Sequence, residues 1–235
     1  DEASIEEAVS LVASKVPEDC LWGLVNNAGI CISAPLECVS SDVLRQQLEV
    51  NLVGQLAVCR AFLPLLRAGG EARIVNITSG LGTVAIPYLG AYSAAQFAKE
   101  AMSDALRREL RPLGVTVSVV APGAIWTPIW GKIAKQGKEI IDAAPKAVSE
   151  LYRDTYQRFL AANEEEARKS KTTPEHVADA VCEAMLSGHP KPRYRVGADV
   201  RRGSLLARIL PDEALDAMLS SIVAPVPGAK EDTHV

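Results

Sequence analysis

Three short apolar runs, each closed by a turn signal, limit this chain to a narrow set of folds. Leu21-Trp22-Gly23-Leu24-Val25 ends at Asn26-Asn27-Ala28-Gly29. The run over 73–78, with Ile74, Val75 and Ile77, ends at Thr78-Ser79-Gly80. Val115-Thr116-Val117-Ser118-Val119-Val120 lies between Gly114 and Pro122-Gly123. Runs of this kind, bounded by Gly and Pro, read as strands buried on both faces, which belong to parallel sheets covered by helices. Arg193-Tyr194-Arg195-Val196-Gly197 reads as a last short strand. Strand–helix alternation then predicts an α/β fold, a Rossmann-like doubly wound parallel sheet. At 235 residues the chain suits one domain, 1–235, with a sizeable core.

The intervening segments carry helical periodicity. Asp1 or Ser4 is placed to cap a first helix with Ile5, Ala8, Val9, Val12 and Ala13 on one side. Residues 40–67 repeat Leu44, Leu48, Leu52, Leu56, Phe62, Leu63 and Leu66 at helical spacing, with Ser40 or Ser41 as cap. Pro64 predicts a kink or break near the end of that helix. A helix over 91–111 follows the second strand. Residues 128–170 carry Ile133, Ile140, Ile141, Val148, Leu151 and Phe159 at helical spacing, a cover for the sheet. Thr172-Thr173-Pro174-Glu175 opens another helix, and two short ones are expected near 200–209 and 211–222, before a frayed polar tail.

Composition excludes several classes of function. A net charge of −4 gives no surface for nucleic acid. No unbroken run of about 18 apolar residues predicts a membrane span, and no leader pattern is seen. Five cysteines, an odd number without a Cys-x-x-Cys, predict reduced thiols and a cytoplasmic setting. The three histidines have no partners at ligand spacing, so no metal site is expected.

The chemistry concentrates in Ile74 to Lys99. Ser79 ends a strand, and Tyr92 stands thirteen residues later at a helix start. A hydroxyl and a phenol brought together there can hold a carbonyl oxygen and pass it a proton. One turn beyond Tyr92, on the same helix face, is Gln96.

This stretch closely resembles the active site of the short-chain dehydrogenase/reductase family, where Ser is followed by Tyr-x-x-x-Lys. Asn26-Asn27-Ala28-Gly29 and Pro122-Gly123-Ala124-Ile125-Trp126-Thr127 are similar to two further family signatures. The resemblance implies hydride transfer between NAD or NADP and an alcohol or carbonyl. It implies Ser79, Tyr92, Asn51 and Gln96 at the catalytic centre, Asn51 holding a relay water. It implies cofactor contacts from Asn26, Ala28, Gly29, Ile77, Tyr92, Gln96, Pro122, Gly123, Ile125 and Thr127. It makes 128–171 a substrate lid, whose apolar and aromatic content suggests a lipophilic substrate. The sequence of Pro122 to Lys132 and the carboxyl end resembles the branch that handles retinoids, hydroxysteroids and hydroxybutyrate, which implies a retinoid, steroid or hydroxy acid-like substrate. Helices 41–67 and 91–111 pair in a homodimer or homotetramer in that family.

Two departures stand out. The family's Gly-rich phosphate loop has no counterpart, so the N-terminal strands are expected to be absent from this chain, as in a truncated family member with an open sheet edge. Gln96 stands where the family has lysine. A cation about 4 Å from a phenolate is worth roughly 4 kcal/mol at an effective dielectric near 20, on the order of a thousandfold in ionisation. Without it Tyr92 is expected to be a poor base at neutral pH, and oxidation to suffer more than reduction. Lys99, three residues on, is not expected to reach back to Tyr92. The rival readings are a non-catalytic relative serving as a binding or regulatory subunit, and an engineered Lys-to-Gln change.

Overall fold

The computed structural model describes residues 1–17 and 20–224. Four strands form one parallel sheet in the order β1-β2-β3-β4: β1 Gly23–Asn26, β2 Ala72–Ile77, β3 Val115–Pro122 and β4 Arg193–Val196. Val25 lies beside Val75, Val75 beside Ser118, and Val120 beside Tyr194. Parallel neighbours require crossovers, and helices supply them. Helix α1 (Glu2–Ala13) precedes β1. Helices α2 (Ser41–Leu48) and α3 (Gly54–Ala68) join β1 to β2, and α4 (Gly90–Leu110) joins β2 to β3. Between β3 and β4 come α5 (Ile129–Ala143), α6 (Lys146–Lys169) and α7 (Pro174–Leu186). Helices α8 (Ala198–Ile209) and α9 (Asp212–Leu219) follow β4.

The two-residue period of the strands sorts the core onto two faces. Ala72, Ile74, Val115 and Val117 turn towards α1, α3 and α4, meeting Val12, Phe62, Leu66 and Leu106. Val75 and Val120 turn the other way, onto Val177, Val181 and Ala184 of α7. Ile74 and Val75 are both fully buried, each contributing roughly 1.5–3 kcal/mol by leaving water. Both faces are covered at β2 and β3, as their apolar runs require. A third cluster lies beyond the strand ends, where α5 and α6 pack Ile133, Ile141, Tyr156 and Phe159 against Tyr88 and Leu89.

Local chemistry fixes the helix starts. The Asp1 carboxylate accepts from Ser4 N at 2.9 Å, and the Ser40 hydroxyl from Val43 N at 3.3 Å. Pro174 occupies the first turn of α7 behind a box formed by Thr173 and His176. The break expected at Pro64 does not occur: α3 runs on to Ala68. The carbonyl that Pro64 leaves without a partner belongs to exposed Arg60, where water can serve it. The irregular turn lies earlier, at Glu49–Val53, where the helix widens and Gly54 N–H reaches back to Glu49 O. Such wide turns recur at functional sites.

The helical run Ser41–Ala68, 28 residues with mean hydropathy up to 1.3, is long and apolar enough to cross a bilayer by those measures. Here its Cys59 and Leu66 are buried against the sheet. Among the described residues β1 pairs with β2 alone, and Trp22 before it and Val25 within it are exposed. The tail expected beyond 222 lies, from 225 on, outside the described residues.

Candidate active site

The carboxyl ends of β1, β2 and β3 release three loops that meet above the sheet, where open α/β sheets place ligands. Two amides on one face of the α2–α3 run hold the first loop. Gln47 Oε1 accepts from Ile32 N at 2.8 Å and its Nε2 donates to Ile30 O at 3.0 Å. Asn51, one turn on, accepts from Ile30 N and donates to Ile30 O, both at 2.9 Å. The Asn51 side chain is therefore a clasp on the β1 loop. Gln47 escaped the sequence reading, since a lone Gln in a helical repeat carries no signal.

The second loop runs from β2 to α4. Ser79 accepts from Leu81 N at 3.2 Å, which closes a short turn and fixes its hydroxyl. Tyr88 in this loop has φ 65°, a left-handed backbone that costs a bulky residue about 1–2 kcal/mol. Its carbonyl accepts from Ala34 N and from the Ser33 hydroxyl. Its phenol donates to Thr155 Oγ1 at 2.7 Å. These bonds hold the turn that delivers α4, and with it Tyr92.

Tyr92 sits in the wall of a cavity of about 450 Å³, with Ser79 beside it. Burial first, and then the neighbouring Cys31 thiol, push its phenol above its usual value near 10; the Ser79 hydroxyl and the Gln96 amide pull against them. Gln96 is 3% exposed, and its Oε1 has no hydrogen-bond partner among the described residues. Lys99 is buried too, but its ammonium donates to Ile77 O at 2.7 Å. Burial lowers its pKa to about 8, while Glu100 and Cys59 pull it up. Its charge is therefore spent beneath β2 and does not replace the lysine missing at 96.

The third loop carries Pro122, Gly123, Ile125 and Thr127, all in the cavity wall. Ala124 N donates to Asp199 Oδ2 at 2.8 Å, and Gly123 N donates to Val196 O at 3.0 Å. Trp130 Nε1 donates to Ile125 O at 2.8 Å, tying the start of α5 to the same loop. Asp199 lies 75 residues away in sequence, so no local pattern could have found it.

The structure brings together Ser79, Tyr92, Pro122, Gly123, Ile125 and Thr127 around one cavity, with Asn27 at its rim. It does not bring Asn26 there. That side chain is buried, donating to Asn76 Oδ1 at 2.9 Å and to Cys59 Sγ at 3.2 Å, and it ties β1 to β2. Ala28 and Gly29 are exposed on the first loop, and Ile77 offers its carbonyl to Lys99 rather than to the cavity. Most of the remaining wall is apolar, built by Leu81, Ile86 and Leu89 from the second loop, Ile129, Trp130 and Ile133 from α5, and Phe159 and Leu160 from α6, with Asn163 and Glu166 of α6 and Asp199 of α8 lining it too. Tyr156 anchors α6 by donating to Ser33 O at 2.7 Å.

Comparison with known proteins points the same way. The family model described as short chain dehydrogenase matches residues 1–138. A 3-amino-tetrahydro-pyrrolizinone reductase of Xenorhabdus hominickii is 45% identical over 216 residues, 92% of this chain and 75% of that protein. The mitochondrial D-beta-hydroxybutyrate dehydrogenase of Rattus norvegicus is 38% identical over 199 residues, 81% of this chain and 57% of that protein. The chain thus spans three quarters of the first relative and little more than half of the second. A short chain dehydrogenase of Burkholderia cenocepacia J2315, crystallised with NADP, superposes with a TM-score of 0.67 at 25% identity, over 93% of this chain and 74% of its own.

Proposed function

Because the chain belongs to the short-chain dehydrogenase family, we propose that it is an NAD(P)-dependent oxidoreductase acting on a hydroxyl or carbonyl of a lipophilic small molecule. The observation that carries this reading is Ser79 beside Tyr92 in one apolar cavity that also receives the Pro122–Thr127 loop. The residues present fit the nicotinamide–ribose half of a dinucleotide. Tyr92, Gly123 and Thr127 line the cavity, and Gln96, one helical turn on from Tyr92, has a buried carboxamide oxygen without a partner among the described residues, an acceptor that a ribose hydroxyl would satisfy.

When bound, the nicotinamide supplies hydride for reduction and takes it in oxidation. The Ser79 hydroxyl holds the carbonyl oxygen, and the Tyr92 phenol gives that oxygen its proton as the alcohol forms. In oxidation the phenolate must first exist. A phenol held above its usual value, with no lysine at 96, makes that the harder direction. Asn51 contributes by clasping the Ile30 backbone, and α5 and α6 exclude water from the cavity.

Titrating the full protein with NADH and NADPH, followed by nicotinamide fluorescence, tests the reading. One of them is expected to bind with micromolar affinity, and Tyr92→Phe is expected to keep that binding while losing carbonyl reduction. Failure of both to bind would leave the second reading, a non-catalytic subunit, which the charge-free Gln96 favours.

Exposed Val50, Val53, Leu56 and Phe97 on the α2–α4 helices support a homodimer through that face. Phe97→Glu is expected to convert the dimer to monomer in light scattering, and a monomeric parent would refute it. All five cysteines are free, which supports a reducing, intracellular location.

A further inference from the structure

The charges around the cavity say more about the substrate than its apolar walls do. Among the described residues, Glu166 and Asp199 are the only charged ones lining it, and no lysine, arginine or histidine does. Asp199 already accepts from Ala124 N. Glu166 is different. On α6, Phe159, Asn163 and Glu166 fall at i, i+4 and i+7, one stripe of the helix, and all three line the cavity. The stripe passes from an aromatic ring to an amide to a carboxylate. The neighbouring carboxylates are neutralised along the helix, Glu164 by Arg168 at 2.8 Å and Glu165 by Lys169 at 2.5 Å. Arg168 is also engaged over the Trp126 ring, 3.5 Å from its centroid. Glu166 makes no ion pair among the described residues. Asn163 donates to Phe159 O at 3.0 Å, which leaves its Oδ1 free to accept.

We propose that the cavity selects compact, apolar ketones bearing a protonated amine and rejects those bearing a carboxylate, with Glu166 as the specificity-determining residue. This rests on the oxidoreductase reading above. A carboxylate substrate would enter a pocket with two like charges and, among the described residues, no cation to receive it, a mismatch that works as rejection. An ammonium would meet the Glu166 carboxylate and the Asn163 oxygen at the rim, while its ring lies against Phe159 and Trp130. The hydroxy-acid class expected from the lid's sequence is thereby set aside. The reaction itself is unchanged: the ketone takes a hydride at carbon from NADH or NADPH and a proton at oxygen, leaving a secondary alcohol and the oxidised cofactor.

Three ketones of one shape test this: 4-(aminomethyl)acetophenone, 4-(hydroxymethyl)acetophenone and 4-acetylbenzoate. Each is offered to the full protein at neutral pH, measuring kcat/KM for reduction and, by calorimetry, Kd. The expected order is amine, then alcohol, then carboxylate, with about fivefold to tenfold between amine and alcohol, the scale of one partly solvated charge pair. Glu166→Gln brings the amine-to-alcohol ratio close to one, and Glu166→Lys reverses the order of amine and carboxylate. Equal use of 4-acetylbenzoate and the alcohol would overturn the proposal. So would ratios that neither substitution moves, or a failure of all three ketones to bind. If the ketones bind in the expected order but none is reduced, the oxidoreductase reading fails while the charge selection stands.

Discussion

Replacing Gln96 by lysine adds a single charge beside Tyr92 and leaves the rest of the site in place. Tyr92 is held above its ordinary value by burial and by Cys31, and only two neutral groups, Ser79 and Gln96, oppose them. A cation about 4 Å away, at the effective dielectric near 20 that suits protein sites, is worth roughly 4 kcal/mol, or about three pKa units. Part of this is offset by burying an ammonium at a position now 3% exposed. A net gain of about 2–3 kcal/mol is expected, on the order of 30- to 150-fold in phenolate at a given pH. The assay is alcohol oxidation across pH 6 to 10 for the parent, Gln96→Lys and the neutral control Gln96→Met, with ultraviolet difference titration of tyrosine as a readout independent of turnover. Gln96→Lys is expected to move the rising limb of the oxidation profile down by about two pH units and to raise the rate at neutral pH, while carbonyl reduction changes less. Superimposable pH profiles and tyrosine titrations for the parent and Gln96→Lys would refute the reasoning, because the charge would then have no hold on the phenol.

The buried Lys99 gives a stability test with a defined sign. Its pKa falls from 10.5 to about 8 on folding, so between those values the unfolded chain binds the extra proton and stability rises with pH, by about 3 kcal/mol in all. Below about pH 8 the full penalty is present. Urea midpoints for the parent and Lys99→Met should differ in slope across that window alone, and parallel curves would show that the ammonium is not desolvated. Thiol reactivity should follow burial: Cys182 is exposed, whereas burial pushes Cys59 up to about 11 and Cys31 up to about 12. Iodoacetamide at pH 7.5 with mass spectrometric readout should therefore label Cys182 first and leave Cys31 and Cys59 unmodified in the native state. In the lid, a Cβ at Gly137 would lie 1.8 Å from the Tyr156 hydroxyl and 2.6 Å from Ser33 O. Gly137→Ala should cost about 1–3 kcal/mol and weaken ketone binding, whereas Gly131→Ala, with open space around it, should do neither.

The sequence by itself determined the order of elements, because period and punctuation are local. Apolar runs closed by Asn-Ala-Gly, Ser-Gly and Pro-Gly become strands Gly23–Asn26, Ala72–Ile77 and Val115–Pro122, and Ser79 and Tyr92 declare themselves through a strand end and a helix start. The reading fell short wherever a side chain chose between neighbours distant in sequence. Asn26 stands in a motif read as cofactor-facing, yet Asn76, fifty residues on, captures it beneath the sheet. Asn51 spends its side chain on Ile30, and Lys99 takes the Ile77 carbonyl because that is the acceptor its buried position offers. Pro64 stays helical, and the carbonyl it deprives belongs to an exposed residue, Arg60. The charge of the cavity was invisible as well, since Glu166 comes to line it, without an ion pair among the described residues, only once α6 has folded and Glu164 and Glu165 have paired. Local pattern sets which elements form, through backbone sterics and the burial of one face; tertiary packing alone decides which polar group meets which, since a buried donor must be satisfied by whatever the fold places within reach.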